Sequence, residues 1–136
     1  MLPRQQGSKG DPAVEKVLVI DDEFDVLLLC RVNLSHAGLQ VQEAKSGKAG
    51  LESALEDTPD AVVLDLMMPE MDGFEVLKRL RDDERTSAIP VVILSARTGE
   101  ADRARCVALG ANDYLTKPFF PDELVDRLDG LISAKR

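Results

Sequence analysis

Residues 61–69 read AVVLDLMMP. Four apolar residues lead into Asp65, and apolar residues resume beyond it. A short run that is apolar on both faces fits a strand buried in a parallel sheet. The acid then sits at the strand's carboxyl end, and Pro69 fixes the turn that follows.

Working outward, the same grammar repeats. VLVID makes Val17–Ile20 a first strand, ended by Asp21 and Asp22. Phe24, Leu27, Leu28, Arg31 and Val32 recur at helical spacing, which predicts a helix over about 24–36. Gly38 suits a left-handed C-terminal cap. LQVQEA is a second strand, and KSGKAGLESALED a helix that tolerates Gly50. Thr58-Pro59-Asp60 breaks it. After the 61–65 strand, LMMPEM is a loop, and Asp72 with Glu75 gives a capping-box signature for the helix carrying Phe74, Leu77 and Leu80. IPVVILS is a fourth strand, with Pro90 at its entry. GEADRARCVALG predicts a helix with a small inner face of Ala101, Ala104 and Ala108. NDYLT is a short fifth strand, KPF a turn, and Pro121 opens a last helix with Asp122 and Glu123 in its first turn. Leu124, Leu128, Leu131 and Ile132 form its apolar stripe.

Strands and helices thus alternate five times, which predicts an α/β fold: a doubly wound parallel sheet covered by helices on both faces. The chain of 136 residues suits one domain. Residues 1–15, rich in Gly and Pro and nearly free of apolar residues, read as a disordered tail or linker, with the domain occupying 16–136. Apolar residues make up 44% and aromatic residues 4%, with no Trp, so the core is built from Val, Leu, Ile and Ala. The formal net charge of -8, with no basic cluster to offset it, disfavours direct binding to nucleic acid or an anionic membrane. Cys30 and Cys106 form no close metal-ligand pattern and read as free, buried thiols in a reducing, cytoplasmic setting. No stretch is long enough for a membrane span, and the start lacks a signal-peptide core.

Ligands of such sheets gather at the carboxyl edge of the strands. That edge collects Asp21 and Asp22 from strand one, Asp65 from strand three, Ser95 from strand four and Lys117 after strand five. Three carboxylates in one cleft repel unless cations intervene. Lys117 supplies one positive charge, and a hard divalent ion such as magnesium suits the oxygens. His36, the only histidine, lies at the far end of the first helix, where it reads as a surface or capping residue. No Gly-rich nucleotide loop is present. A carboxylate can attack phosphorus to give an acyl phosphate, with a metal ion, an ammonium and a hydroxyl neutralising the equatorial oxygens.

VLVIDDE, AVVLDLMMPEMDGFEVLKRLR, IPVVILSA and GANDYLTKPF occur in order, followed by a terminal helix. Over residues 16–134 the chain resembles the receiver domain of two-component response regulators. The resemblance implies a five-stranded parallel sheet of order 2-1-3-4-5 flanked by five helices. It implies that Asp65 takes a phosphoryl group from a phosphohistidine on a sensor histidine kinase or histidine phosphotransfer protein. Magnesium would be bound by Asp22 directly, by Asp21 mainly through water, by Asp65, and by the backbone carbonyl of Met67. A thioether is too soft for that ion, so only the main chain of Met67 suits it. Lys117 would pair with Asp65 and then with the phosphoryl group. Ser95 would swing toward that group, and Tyr114 would follow into the vacated space. Tyr114 also reads as an ordinary half-buried aromatic. A cis bond before Pro118 would aim the ammonium into the cleft, though sequence alone gives cis-proline a low base rate. Gly73 either frees space for the loop backbone or marks the helix start.

The output expected from the resemblance is a shift of the face made by helix 4, strand 5 and helix 5, serving homodimerisation or docking to an effector. The resemblance implies that two variable positions, here Met67 and Arg97, flank the phosphoryl site; neither is an obvious base for water, which predicts slow self-dephosphorylation unless Arg97 or a partner helps. The chain stops at SAKR after the last helix, as a stand-alone receiver or as part of a longer regulator. It reads as a signalling phosphoacceptor, not a turnover enzyme. Two other readings compete: a degenerate receiver that only binds proteins, and a metal-dependent phosphatase. The second would need an acid two positions after the nucleophile, where Met67 stands.

Overall fold

The computed structural model describes residues 14–135. Five strands alternate with five helices: β1 (Lys16–Ile20), α1 (Phe24–His36), β2 (Gln40–Ala44), α2 (Gly47–Glu56), β3 (Ala61–Asp65), α3 (Gly73–Asp82), β4 (Val91–Ser95), α4 (Glu100–Ala108), β5 (Asp113–Thr116) and α5 (Pro121–Ala134). All strand pairs are parallel, in the order β2-β1-β3-β4-β5. Most of the expected tail, residues 1–13, lies outside the described residues. Of the remainder, Val14 is buried and the Glu15 carbonyl accepts from the Gln40 N–H at 2.9 Å, so packing reaches back before β1.

The two-residue alternation along each strand divides the core. Leu18, Ile20, Val62, Leu64, Val91 and Ile93 point to one side, against α2, α3 and α4. Val17, Val19, Val63, Val92, Leu94 and Leu115 point to the other, against α1 and α5. Both faces of β3 and β4 are therefore buried along their whole length. Each such Val, Leu or Ile contributes about 1.5–3 kcal/mol relative to exposure. That doubly covered centre explains why 61–65 carries no polar residue before its terminal acid.

Helix ends follow the local signals. Gly38 has φ +90° just past α1, where the Leu39 N–H returns to the Leu34 carbonyl. Ser46 caps α2 by accepting from the Ala49 N–H, and Asp72 caps α3 by accepting from the Glu75 N–H. The capping box is half formed, since the Glu75 carboxylate turns to Arg79 instead. Gly50 is in α2 because the helix presses on β1: a Cβ there would lie 2.5 Å from Ile20 Cδ1.

One helix face departs from the periodic spacing that located it, and another differs from expectation. In α1 the buried residues are Leu27, Cys30 and Leu34, while Phe24, Leu28, Arg31 and Val32 are exposed. The helix is apolar nearly all round, so periodicity alone does not select a face. In α4, Ala101, Ala104 and Ala108 are exposed and Cys106 is the buried residue. Here Arg103 lies over the Tyr114 ring at 4.5 Å and Arg105 over Phe74 at 3.9 Å. Those cation–π contacts turn Cys106 inward and the alanines out. Both cysteines are free and buried, and burial pushes Cys30 up to about 12 and Cys106 to about 11. His36 is exposed at the end of α1. Among the described residues no helix is long and apolar enough to cross a membrane.

Candidate functional site

The strand register builds the site. Ile20 pairs with Leu64, so Asp21 and Asp65 leave adjacent strands at the same level. Asp65 pairs with Leu94 and Ser95 with Thr116, which carries the rim across to Lys117. The Lys117 N–H is fixed by the Ser95 carbonyl at 2.8 Å, and the bond to Pro118 is cis.

Carboxylate oxygens of Asp21, Asp22 and Asp65 all lie within 4.8 Å of one another. Asp21 and Asp65 are buried, and Asp22 is exposed. The Lys117 ammonium donates to Asp21 Oδ2 at 2.8 Å and to Glu23 Oε1 at 3.0 Å, and stands 3.4 Å from Asp65 Oδ1. Asp65 Oδ1 also accepts from the Met67 N–H at 3.1 Å. Asp65 Oδ2 is buried without a hydrogen-bond partner. An uncommitted carboxylate oxygen is rare inside a protein and invites a cation or an electrophile.

The electrostatics follow. Burial, then the charge of Asp21, pushes Asp65 up to about 6, against the pull of the Met67 N–H and Lys117. Burial raises Asp21 too, against its bonds to Lys117 and the Glu23 N–H. Burial disfavours the Lys117 cation, but hydrogen bonds to Asp21 and Glu23 outweigh it and hold its pKa above the usual lysine value. One ammonium is thus shared among three acids. The set remains short of positive charge, and hard oxygen donors converge on it, so it fits a divalent ion such as magnesium.

A family model for the response regulator receiver domain matches residues 17–129. The chain belongs to the response regulator receiver family. Among relatives of this receiver, the DNA-binding dual master transcriptional regulator RpaA of Synechocystis sp. is 44% identical over 117 residues, covering 86% of this chain and 48% of that protein. The alkaline phosphatase synthesis transcriptional regulatory protein PhoP of Bacillus subtilis is 39% identical over 118 residues, covering 87% and 48%. The receiver chain therefore spans about half the length of these relatives. Among solved structures, the receiver domain of the Francisella response regulator 1452 superposes with a TM-score of 0.84 at 34% identity, covering 90% of this chain and 99% of that one. Vibrio cholerae chemotaxis protein CheY4 gives 0.83 at 31%, covering 88% and 99%.

The remaining expected residues of the receiver lie around this rim. Ser95 is fully buried, and its hydroxyl accepts from the Arg97 N–H at 3.0 Å without touching Asp65. Tyr114 is more buried than the half-exposed aromatic reading implies, and its hydroxyl donates to the Arg97 carbonyl at 2.7 Å. Met67 has its side chain out in solvent, at 52% exposure, and its main chain beside Asp65. Gly73 serves both readings at once, as the first residue of α3 and as a close approach to the Asp65 backbone. Glu70 adopts φ +67° directly after Pro69.

Sequence reasoning missed one participant and one role. Glu23 is the third acid on Lys117, and its signal was the unbroken Asp21-Asp22-Glu23 run. Arg97 joins Ser95 and Tyr114 through backbone atoms, which no side-chain pattern encodes.

Proposed function

We propose that the chain is a phosphoacceptor: Asp65 takes a phosphoryl group from a phosphohistidine of a sensor histidine kinase or histidine phosphotransfer protein. The convergence of Asp21, Asp22, Asp65 and Lys117, with one Asp65 oxygen uncommitted, carries this reading. In the transfer the carboxylate oxygen bonds to phosphorus as the phosphorus–nitrogen bond breaks, and the imidazole leaves with the electron pair. Asp21, Asp22, Asp65 and the Met67 carbonyl would hold magnesium, which supplies charge neutralisation to the phosphoryl oxygens when bound.

The protein's own groups do the rest. The Met67 N–H and Lys117 orient the Asp65 carboxylate through Oδ1 and leave Oδ2 available. Lys117 then follows the new charge, roughly two negative units on the acyl phosphate. Ser95 is short enough to donate to a phosphoryl oxygen, giving up the Arg97 N–H. Tyr114 follows into the space left behind. A hollow of about 420 Å³ beside the rim, lined by Val26, Leu29, Lys117 and Phe119, supports docking of the donor there.

The response is a population shift of the α4–β5–α5 face, which binds a second copy or an effector. The small anchorage of α4, one buried residue, favours such a shift. We place the protein in the cytoplasm with its kinase, acting as a signalling component and not as a turnover enzyme, and without direct contact to nucleic acid or membrane by this domain.

The test is incubation with magnesium and acetyl phosphate, read by intact mass. One phosphoryl group per chain is expected, and none on Asp65→Asn. Full phosphate uptake by the Asn variant would refute the assignment.

A further inference from the structure

Four separate contacts converge on Arg97. Its N–H donates to Ser95 Oγ and its carbonyl accepts from the Tyr114 hydroxyl. Its guanidinium Nε donates to Asp102 Oδ2 at 2.7 Å, and Nη1 lies 3.3 Å from Met67 Sδ. Met67 is the residue whose N–H holds Asp65, so the guanidinium lies across the loop that borders the phosphoacceptor. A thioether is a weak acceptor, which leaves Asp102 as the strong partner of this guanidinium among the described residues. Asp102 belongs to the first turn of α4.

We propose that Arg97 is a charge-exchange latch: it is held by Asp102 while Asp65 is free, and it moves to the phosphoryl oxygens once Asp65 is phosphorylated, releasing the first turn of α4. The inference rests on the phosphoacceptor reading and specifies how the signal reaches α4. An acyl phosphate offers about two negative charges against one on Asp102. A guanidinium fork also matches phosphate oxygens in a bidentate manner. The existing pair is half-exposed and therefore weak, with side chains 47% and 21% exposed, so it yields readily.

The two ends of α4 are held unequally. Gly99 at the N-terminal end supplies no side-chain cap, and Cys106 is the helix's buried residue. Beyond its C-terminal end, the Gly110 carbonyl accepts from Arg81 Nε at 3.1 Å and Nη2 at 2.8 Å. Loss of the Arg97–Asp102 pair thus removes a restraint on the end nearer the site, where the Arg103–Tyr114 contact remains, and α4 turns about its anchored end. Ser95 leaving the Arg97 N–H removes a second restraint on the same loop.

The experiment measures the affinity for beryllofluoride, an acyl-phosphate mimic, at saturating magnesium, by NMR titration. Asp102→Asn should tighten binding about two- to fivefold, because Arg97 no longer has to leave a carboxylate. Arg97→Gln should weaken it, and in that background Asp102→Asn should change nothing. Glu100→Gln removes another first-turn acid of α4 that makes no contact with Arg97, and it should leave the affinity unchanged. Equal tightening by Glu100→Gln, or an Asp102→Asn effect that persists without Arg97, overturns the latch and leaves the phosphoacceptor assignment standing. A wild-type protein that takes up no beryllofluoride overturns that assignment, and the latch with it.

Discussion

Gly73 lies against the backbone of Asp65 so closely that a Cβ built on it would be 2.3 Å from the Asp65 carbonyl oxygen. It would also meet Leu66 Cα at 2.7 Å. Both obstacles are main chain and cannot rotate away. Gly73→Ala must therefore push α3 from β3 or shift the segment that carries Asp65. We expect a loss of about 1–3 kcal/mol in urea unfolding, together with weaker beryllofluoride binding. A variant as stable as the parent would mean that the approach is looser than these distances imply.

The acid at residue 65 also sets a pH dependence. Its folded-state pKa, about 6, lies above the ordinary aspartate value of about 3.9. The metal-free folded state thus holds this proton more tightly than the unfolded chain does. Stability falls as pH rises from about 4 through 6, and the penalty is complete above that window. Asp65→Asn imitates the protonated form, so it should stabilise the metal-free protein at pH 7.5 by on the order of 2 kcal/mol and change little at pH 4. Magnesium should raise the melting temperature of the parent more than that of the variant. Denaturation at the two pH values, with and without magnesium, decides it, and equal variant effects at both would contradict the cause assigned here.

Arg81 presents a third case. Its guanidinium donates to the carbonyls of Ser87, Ile89 and Gly110 and to Asn112 Oδ1, tying the end of α3 to the turn after α4. Asn112 Oδ1 in turn accepts from the Val91 N–H at the start of β4. Arg81→Ala strands two partly buried carbonyls, of Ile89 and Gly110, and should cost about 2–4 kcal/mol. Lysine lacks the fork, so Arg81→Lys should recover only part of that loss. Hydrogen exchange should quicken at Gly110 and Ala111 before it does in β3. Unchanged protection in that turn would show that Arg81 is dispensable there.

These cases mark where the sequence is informative. Asp21, Asp22, Asp65, Ser95 and Lys117 could be placed on one rim because strand ends in a parallel sheet share an edge, and a run such as AVVLD identifies a central strand without further help. The face of α1 could not be read, because Leu28 and Val32 are as apolar as the buried Leu27 and Leu34. The face of α4 was misread for a different reason. Small alanines looked like packing residues, while the orientation comes from Arg103 on Tyr114 and Arg105 on Phe74, pairings between distant segments. Arg97 was visible only as a neighbour of the site. Its links to Ser95 and Tyr114 use main-chain atoms, and those depend on the path of the loop.

The side chains at 67 and 97 bear on how long the modification lasts. Met67 offers only a weak thioether acceptor and Arg97 is a cation paired with Asp102, so neither is a base able to deprotonate a water against an acyl phosphate. In the proposed latch, Arg97 turned to the phosphoryl oxygens would also occupy the approach of that water. The phosphorylated protein should persist for many minutes or longer in excess magnesium. Met67→Asn introduces a carboxamide that can position a water and should shorten the lifetime about tenfold. The decay of phosphorylated protein after removal of acetyl phosphate, followed by intact mass, measures both. Decay of the parent within seconds would place an efficient water-activating group at the site and refute the role given to these two side chains.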